Sequence, residues 1–141
     1  ASLPNFVYSI LKTLNSIIPI DKQEITQSIS LLENLSQKIS SLNLSETNPS
    51  FDLANWINGV PVIYYPWGLK STAIRFKNSL QENAKTHAII EDVIESGHNG
   101  IVSWERPSIM VPILIEGTDD HLKTKERWNI LFRVSGLIVN N

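Results

Sequence analysis

Two compact apolar runs, Val60 to Tyr65 and Ile109 to Glu116, constrain this chain most, because the segments around them carry a different hydrophobic period. The first is rich in β-branched and aromatic residues, as strands are. The second is nearly continuous in apolar residues, the pattern of a strand buried on both faces of a parallel sheet. Ala88 to Ile90 is a shorter strand candidate, and Gly136 to Val139 begins one more. Between the runs, Ala73, Phe76, Leu80 and Ala84 form one apolar stripe at helical spacing over Lys70 to Lys85. Thr118 or Asp119 is placed to cap a further helix running to about Val134. Strands alternating with helices predict a layered α/β domain with parallel pairing and right-handed crossovers. A last strand with no helix behind it would leave one sheet face bare, so the domain is expected to be incomplete at its C-terminal end.

The N-terminal third reads as helices. Phe6, Val7, Ile10, Leu11, Leu14, Ile17 and Ile18 recur at spacings of three and four from Pro4 to Ile18, and Pro19 stops the pattern. Asp21 then caps a second helix whose stripe runs Ile25, Ile29, Leu32, Leu35, Ile39, Leu42. Its length, about three heptads, is marginal for a coiled coil, so an antiparallel pair packed on the following domain is expected. Leu44 to Ser50, with its Asn-Pro step, reads as a linker, and Phe51 to Asn58 as a short helix ended by Gly59. The expected organisation is a helical pair over 1–46 and an α/β domain over 49–141.

A chain of 141 residues with 42% apolar content suffices for one well-buried core. With 12 basic and 14 acidic residues spread without long runs, the net charge of −2 offers no footprint for nucleic acid or for an anionic membrane. Phe6 to Ile20 is interrupted by Lys12, Asn15 and Ser16 and is too polar to span a bilayer. The absence of cysteine excludes disulfides and thiolate chemistry and agrees with a cytoplasmic location. Met110 is the only methionine, which implies a chain processed or excised from something longer.

Arg75, Asn78, Glu82 and Lys85 share a second stripe of the Lys70 to Lys85 helix, which by itself is a solvated face. Sixteen residues beyond Glu82, Gly97-His98-Asn99-Gly100 sets an imidazole between two glycines, where the backbone is free to turn sharply. Gly68-Leu69-Lys70-Ser71-Thr72 opens a helix with free N–H groups but lacks P-loop spacing, so a simple helix start is the better account. His87, His98 and His121 show no paired metal-ligand spacing, and neither Gly-x-Ser-x-Gly nor Gly-x-Gly-x-x-Gly occurs. No metal and no cofactor is implied. Trp56, Trp67, Trp104 and Trp128 stand among apolar neighbours without basic clusters, which favours core and interface packing over base stacking.

Ala73 to Lys85, containing Gln-Glu-Asn-Ala-Lys, followed by Glu95-Ser96-Gly97-His98-Asn99-Gly100-Ile101-Val102-Ser103-Trp104-Glu105, resembles the second sugar-isomerase domain of the bifunctional phosphoglucose/phosphomannose isomerases of archaea and some bacteria. Weaker likeness extends to Ala1 through Leu14, similar to the helix joining that family's two domains, and to Val111 through Arg127. The resemblance implies a three-layer, flavodoxin-like α-β-α sugar-isomerase (SIS) fold around a parallel sheet. It also implies isomerisation of glucose-6-phosphate and mannose-6-phosphate to fructose-6-phosphate through a cis-enediol. Glu82 matches the family's catalytic glutamate and His98 its ring-opening histidine, supplied across a homodimer to the other subunit's site. Arg75, Asn83, Lys85 and Asn99 are the implied substrate-binding residues. The chain departs from the family pattern where Gly97 replaces Asn, Gly100 replaces Glu and Ser103 replaces Gly. The family's phosphate loop, an arginine before the helix that Ala1 begins, and groups near its C-terminus lie outside this sequence, so the chain by itself is expected to be inactive. The alternatives are a phosphosugar-binding module without turnover and a structural dimerisation fragment.

Overall fold

The computed structural model describes residues 2–45 and 47–135. The strand expected at Gly136 to Val139 lies outside the described residues. The chain divides into two compact units between Ala54 and Asn55.

In the first unit, α1 (Leu3–Leu14) begins with Pro4 in its first turn, where a missing N–H costs nothing. Helix α2 (Lys22–Lys38) is capped as expected by Asp21, whose Oδ1 accepts the Gln23 N–H at 2.8 Å. The hydroxyls of Tyr8 and Ser28 meet at 2.7 Å and tie the two helices together. Neither helix buries a residue. Helix α3 (Pro49–Trp56) starts inside the stretch read as linker. The reason is Asn48: its Oδ1 accepts the Ser50 N–H at 3.0 Å, and its Nδ2 donates to the Asn43 carbonyl at 2.9 Å. Asn48 is buried, and Pro49 follows it as the first helical residue.

The second unit is built on three parallel strands in the order β2-β1-β3: β1 (Val60–Tyr65), β2 (Ile89–Asp92) and β3 (Met110–Leu114). Register pairs Tyr64 with Glu91 on one side and Leu114 on the other. Both strand prolines sit where a missing donor is harmless. The Val60 N–H donates to the Ile109 carbonyl on the β3 side, so the nitrogen of Pro61 faces the other way, ahead of the first β2 pair at Val62 and Ile89. The Ile115 N–H donates to Tyr64, so Pro112 turns its nitrogen to the outer edge of β3. Gly59 is required by close approach, because a Cβ there would run into the Ile109 carbonyl oxygen.

Alternation along β1 feeds two cores. Ile63 and Tyr65 pack with Ala73 and Ala88 beneath α4 (Lys70–Ser79), joined by Leu69, Phe76 and Leu80. Val62 and Tyr64 pack with Val93 of α5 (Val93–His98) and with Trp128 and Leu131 of α6 (Leu122–Val134). The result is the expected α/β arrangement, a parallel sheet with helices on both faces. Helix α6 starts later than expected, and neither Thr118 nor Asp119 caps it. His121 Nδ1 accepts the Lys123 N–H at 3.1 Å instead, while Asp120 accepts from the Gly117 N–H at 2.9 Å and from the Trp128 indole at 3.3 Å. Asp120 is thereby committed to holding the β3–α6 loop against the core.

Candidate functional site

The segment carrying Glu82 does not continue as a regular helix to Lys85. After Ser79 the backbone widens into a π-helical turn, Leu80–Ala84, and Lys85 takes the left-handed conformation with φ 56°. Its N–H closes on the Leu80 carbonyl and its Nζ donates to the Glu82 carbonyl at 2.7 Å. The amide of Asn83 donates to the Ser79 carbonyl at 3.0 Å. A π turn changes the angular step between residues, so Arg75, Asn78, Glu82 and Lys85 do not share the single stripe that a uniform helix would give them. Wide turns of this kind and left-handed non-glycine residues are both local irregularities of the sort found at functional sites. Glu82, Asn83, Lys85 and Arg75 are all exposed, and of these only Lys85 lines a hollow of about 320 Å³, together with Gln81, Thr86 and His87.

His98 also departs from its expected setting. Gly97 is helical, His98 is the last residue of α5, and Gly100–Glu105 forms a 3₁₀ segment, so the two glycines do not make a sharp loop around the imidazole. Asn99 ends the helix, its N–H donating to Glu95 at 3.1 Å. Asp92 caps the start of α5 by accepting the Ile94 N–H at 2.8 Å, and Ser103 Oγ donates to the Gly100 carbonyl at 2.6 Å. His98 and Asn99 are exposed on a short, doubly anchored segment.

The fold separates these two groups. α4 and its π turn lie on the face that buries Ile63, and α5 on the face that buries Tyr64 and Val93. Because β1 and β2 are parallel, the connection through α4 returns to the edge where strands begin, which places Glu82 to Lys85 near the start of β2. Ligands of open α/β sheets usually bind at the opposite, carboxyl edge. Within this unit Glu82 and His98 therefore stand on opposite sides of the sheet.

Sequence reasoning missed a buried polar group on the face of the sheet that carries α5. The Trp104 indole donates to the Tyr64 hydroxyl at 3.0 Å, Glu91 lies beside Tyr64 on the neighbouring strand, and Ser96 Oγ is buried with no hydrogen-bond partner. Burial pushes the Glu91 carboxyl above its ordinary range, partly offset by the Tyr64 hydroxyl. Burial likewise raises Tyr64; the Trp104 donor opposes the rise, and the nearby Glu91 charge adds to it. The one available signal was a glutamate at the end of a strand candidate. Of the four tryptophans, Trp128 is 2% exposed and Trp104 packs on the same core, whereas Trp67 is 91% exposed and belongs to neither core of the sheet unit. Among the described residues no cluster of three His, Asp or Glu could hold a metal, and no helix is long and apolar enough to cross a membrane.

Residues 46–136 match the family of the bacterial phospho-glucose isomerase C-terminal SIS domain. This chain belongs to that family. It is also 28% identical over 131 residues to a bifunctional phosphoglucose/phosphomannose isomerase of Aquifex aeolicus, an alignment covering 90% of this chain and 38% of that relative. The chain thus spans well under half the length of the relative it matches. No solved structure matches it significantly.

Proposed function

We propose that this chain supplies Glu82 and His98 to a sugar-phosphate isomerase that interconverts glucose-6-phosphate and mannose-6-phosphate with fructose-6-phosphate. The observation that supports this most is the π turn ending in left-handed Lys85, an irregularity that falls on Glu-Asn-Ala-Lys inside the region matching the isomerase SIS family. In this reading the Glu82 carboxylate removes the proton on the carbon next to the carbonyl, giving a cis-enediol, and returns it to the neighbouring carbon. His98 exchanges a proton with the ring oxygen to open the sugar; an imidazole, whose ordinary pKa is about 6.5, suits that exchange near neutrality. Arg75, Asn83, Lys85 and Asn99 bind substrate. Because Glu82 and His98 lie on opposite faces of one unit, each serves a different site of a cytoplasmic homodimer, and the phosphate is held by residues outside this sequence.

The test is conversion of fructose-6-phosphate to glucose-6-phosphate by the full natural polypeptide. Glu82→Gln is expected to lower kcat by at least about a hundredfold; an unchanged rate removes Glu82 from the mechanism. Mixing Glu82→Gln with His98→Asn protomers is expected to regain activity, because a mixed dimer then has one site with both groups intact. No recovery would place both residues in one site. A second reading, phosphosugar binding without turnover, is favoured by the exposure of both Glu82 and His98. Calorimetric binding of a phosphosugar by a full polypeptide that shows no conversion would establish it.

A further inference from the structure

Gly100 is where the folded chain says most beyond its motifs. A Cβ placed on it would stand 2.8 Å from Oε1 of Glu91 and 3.2 Å from Oγ of Ser96. The space that a side chain at position 100 would enter is already occupied by a carboxylate from the adjacent strand. Gly100 has no positive φ, so its conformation is open to any residue; the atoms a Cβ would meet are the ends of the Glu91 and Ser96 side chains, so a residue with a side chain here would have to displace the carboxylate. Glu91 reaches this point because it is in register with Tyr64 and shares its face of the sheet.

The surroundings make the carboxylate structurally demanding. Ser96 Oγ is a fully buried hydroxyl that makes no hydrogen bond of good geometry among the described residues, although it stands close enough to the Tyr64 hydroxyl to oppose the rise of that group, so the acceptors around it matter. Tyr64 lies against Glu91 on one side and holds the Trp104 indole on the other. Ser96 belongs to α5, while Gly100 opens the 3₁₀ segment and Trp104 lies within it, so the cluster of Tyr64, Glu91 and Ser96 borders both elements that flank Asn99.

We propose that Glu91 is a positioning residue for the His98–Asn99 turn, its carboxylate standing in the space that Gly100 leaves open. Its value for catalysis rests on the reading of His98 as the ring-opening group; its structural half does not. Position 91 and position 100 then form an exchangeable pair, in which one carboxylate is required and two are too many.

Amide hydrogen exchange on the chain tests the pair directly. Glu91→Ala is expected to speed exchange at Asn99 to Trp104 about tenfold while leaving Ile63 unchanged, since only the local opening is affected. Gly100→Glu alone crowds two carboxylates and is expected to do the same. The double variant E91A/G100E restores the carboxylate from the other side and returns exchange to within about twofold of wild type. Should E91A fail to fold, Glu91→Leu keeps the length and removes both acceptor oxygens, and the same local increase is expected. Unchanged exchange in E91L, or no recovery in the double variant, overturns the proposal. In the full polypeptide, E91A is expected to lower kcat with KM unaltered and E91A/G100E to recover it. If His98→Ala leaves turnover intact while the exchange pattern holds, the catalytic reading fails and the positioning stands. If His98→Ala abolishes turnover while E91A and E91L change neither exchange nor kcat, the positioning fails alone.

Discussion

The helical pair and the sheet unit carry equally regular hydrophobic patterns, yet only the sheet unit turns its pattern into a core. Helices α1 and α2 bury no residue, and Phe6, Ile10, Leu31 and Leu35 stay exposed. In the sheet unit Ile63, Tyr64, Val93 and Leu131 are almost completely enclosed. Two helices offer each other one narrow seam, whereas a sheet between helix layers has two broad faces covered at once. A stripe in a sequence states that a partner is needed; the architecture decides whether the chain provides one.

The largest expected contrast is between two leucines. Leu131→Ala should cost about 3 kcal/mol by lost burial and the cavity left behind, while Leu31→Ala should cost under about 0.5 kcal/mol. Urea unfolding of both variants checks this. A comparable loss at Leu31 would show that this leucine, which lies off the apolar stripe of α2, is enclosed in solution. Next in size, Asn48→Ala removes a helix cap together with a buried donor to the Asn43 carbonyl, and should destabilise the chain by about 1–2 kcal/mol. A loss that small but fully cooperative with the sheet unit would mean that the two units unfold together.

Lys85→Gly should act in the opposite direction. Relief of the left-handed lysine is expected to raise stability by about 0.5–1 kcal/mol, seen as a higher Tm, while under the proposed function turnover by the full polypeptide falls because the ammonium group is gone. A gain in both would show that the lysine is only a helix terminator. The smallest effect is on pH dependence. Burial raises the Glu91 carboxyl in the folded state, so between the ordinary value of 4.5 and its raised value the folded chain holds a proton that the unfolded chain has lost. Stability from this group is therefore present at low pH and falls as pH rises through that window. Glu91→Gln should flatten this part of a Tm-against-pH curve; an identical slope would mean that Glu91 does not titrate abnormally.

Much of the sheet was legible because its strands are short apolar runs. Val60 to Tyr65 was read with the observed bounds, and Asp21 announced α2 by a cap that depends only on the next two residues. Cap identity failed where long-range contacts competed. Thr118 and Asp119 were the expected caps, yet α6 starts at Leu122 with His121 as its cap, behind a loop that Asp120 holds through Gly117 and the Trp128 indole, and Asn48 became a buried hub instead of a link in an open linker. The site was legible as motifs and illegible as geometry. Glu82 and His98 could be singled out by order and spacing, but the π turn, the left-handed Lys85 and the helical Gly97 carry no period that a sequence window detects.

Local periodicity and the order of residue identities suffice for the alternation of strands and helices, the parallel α/β class and the family likeness. That Glu82 and His98 lie on opposite faces, and that Glu91 fills the space beside Gly100, emerged with the packed fold. Both depend on the register of β1 with β2 and on the side from which each helix crosses the sheet, which bring together residues that no local pattern connects.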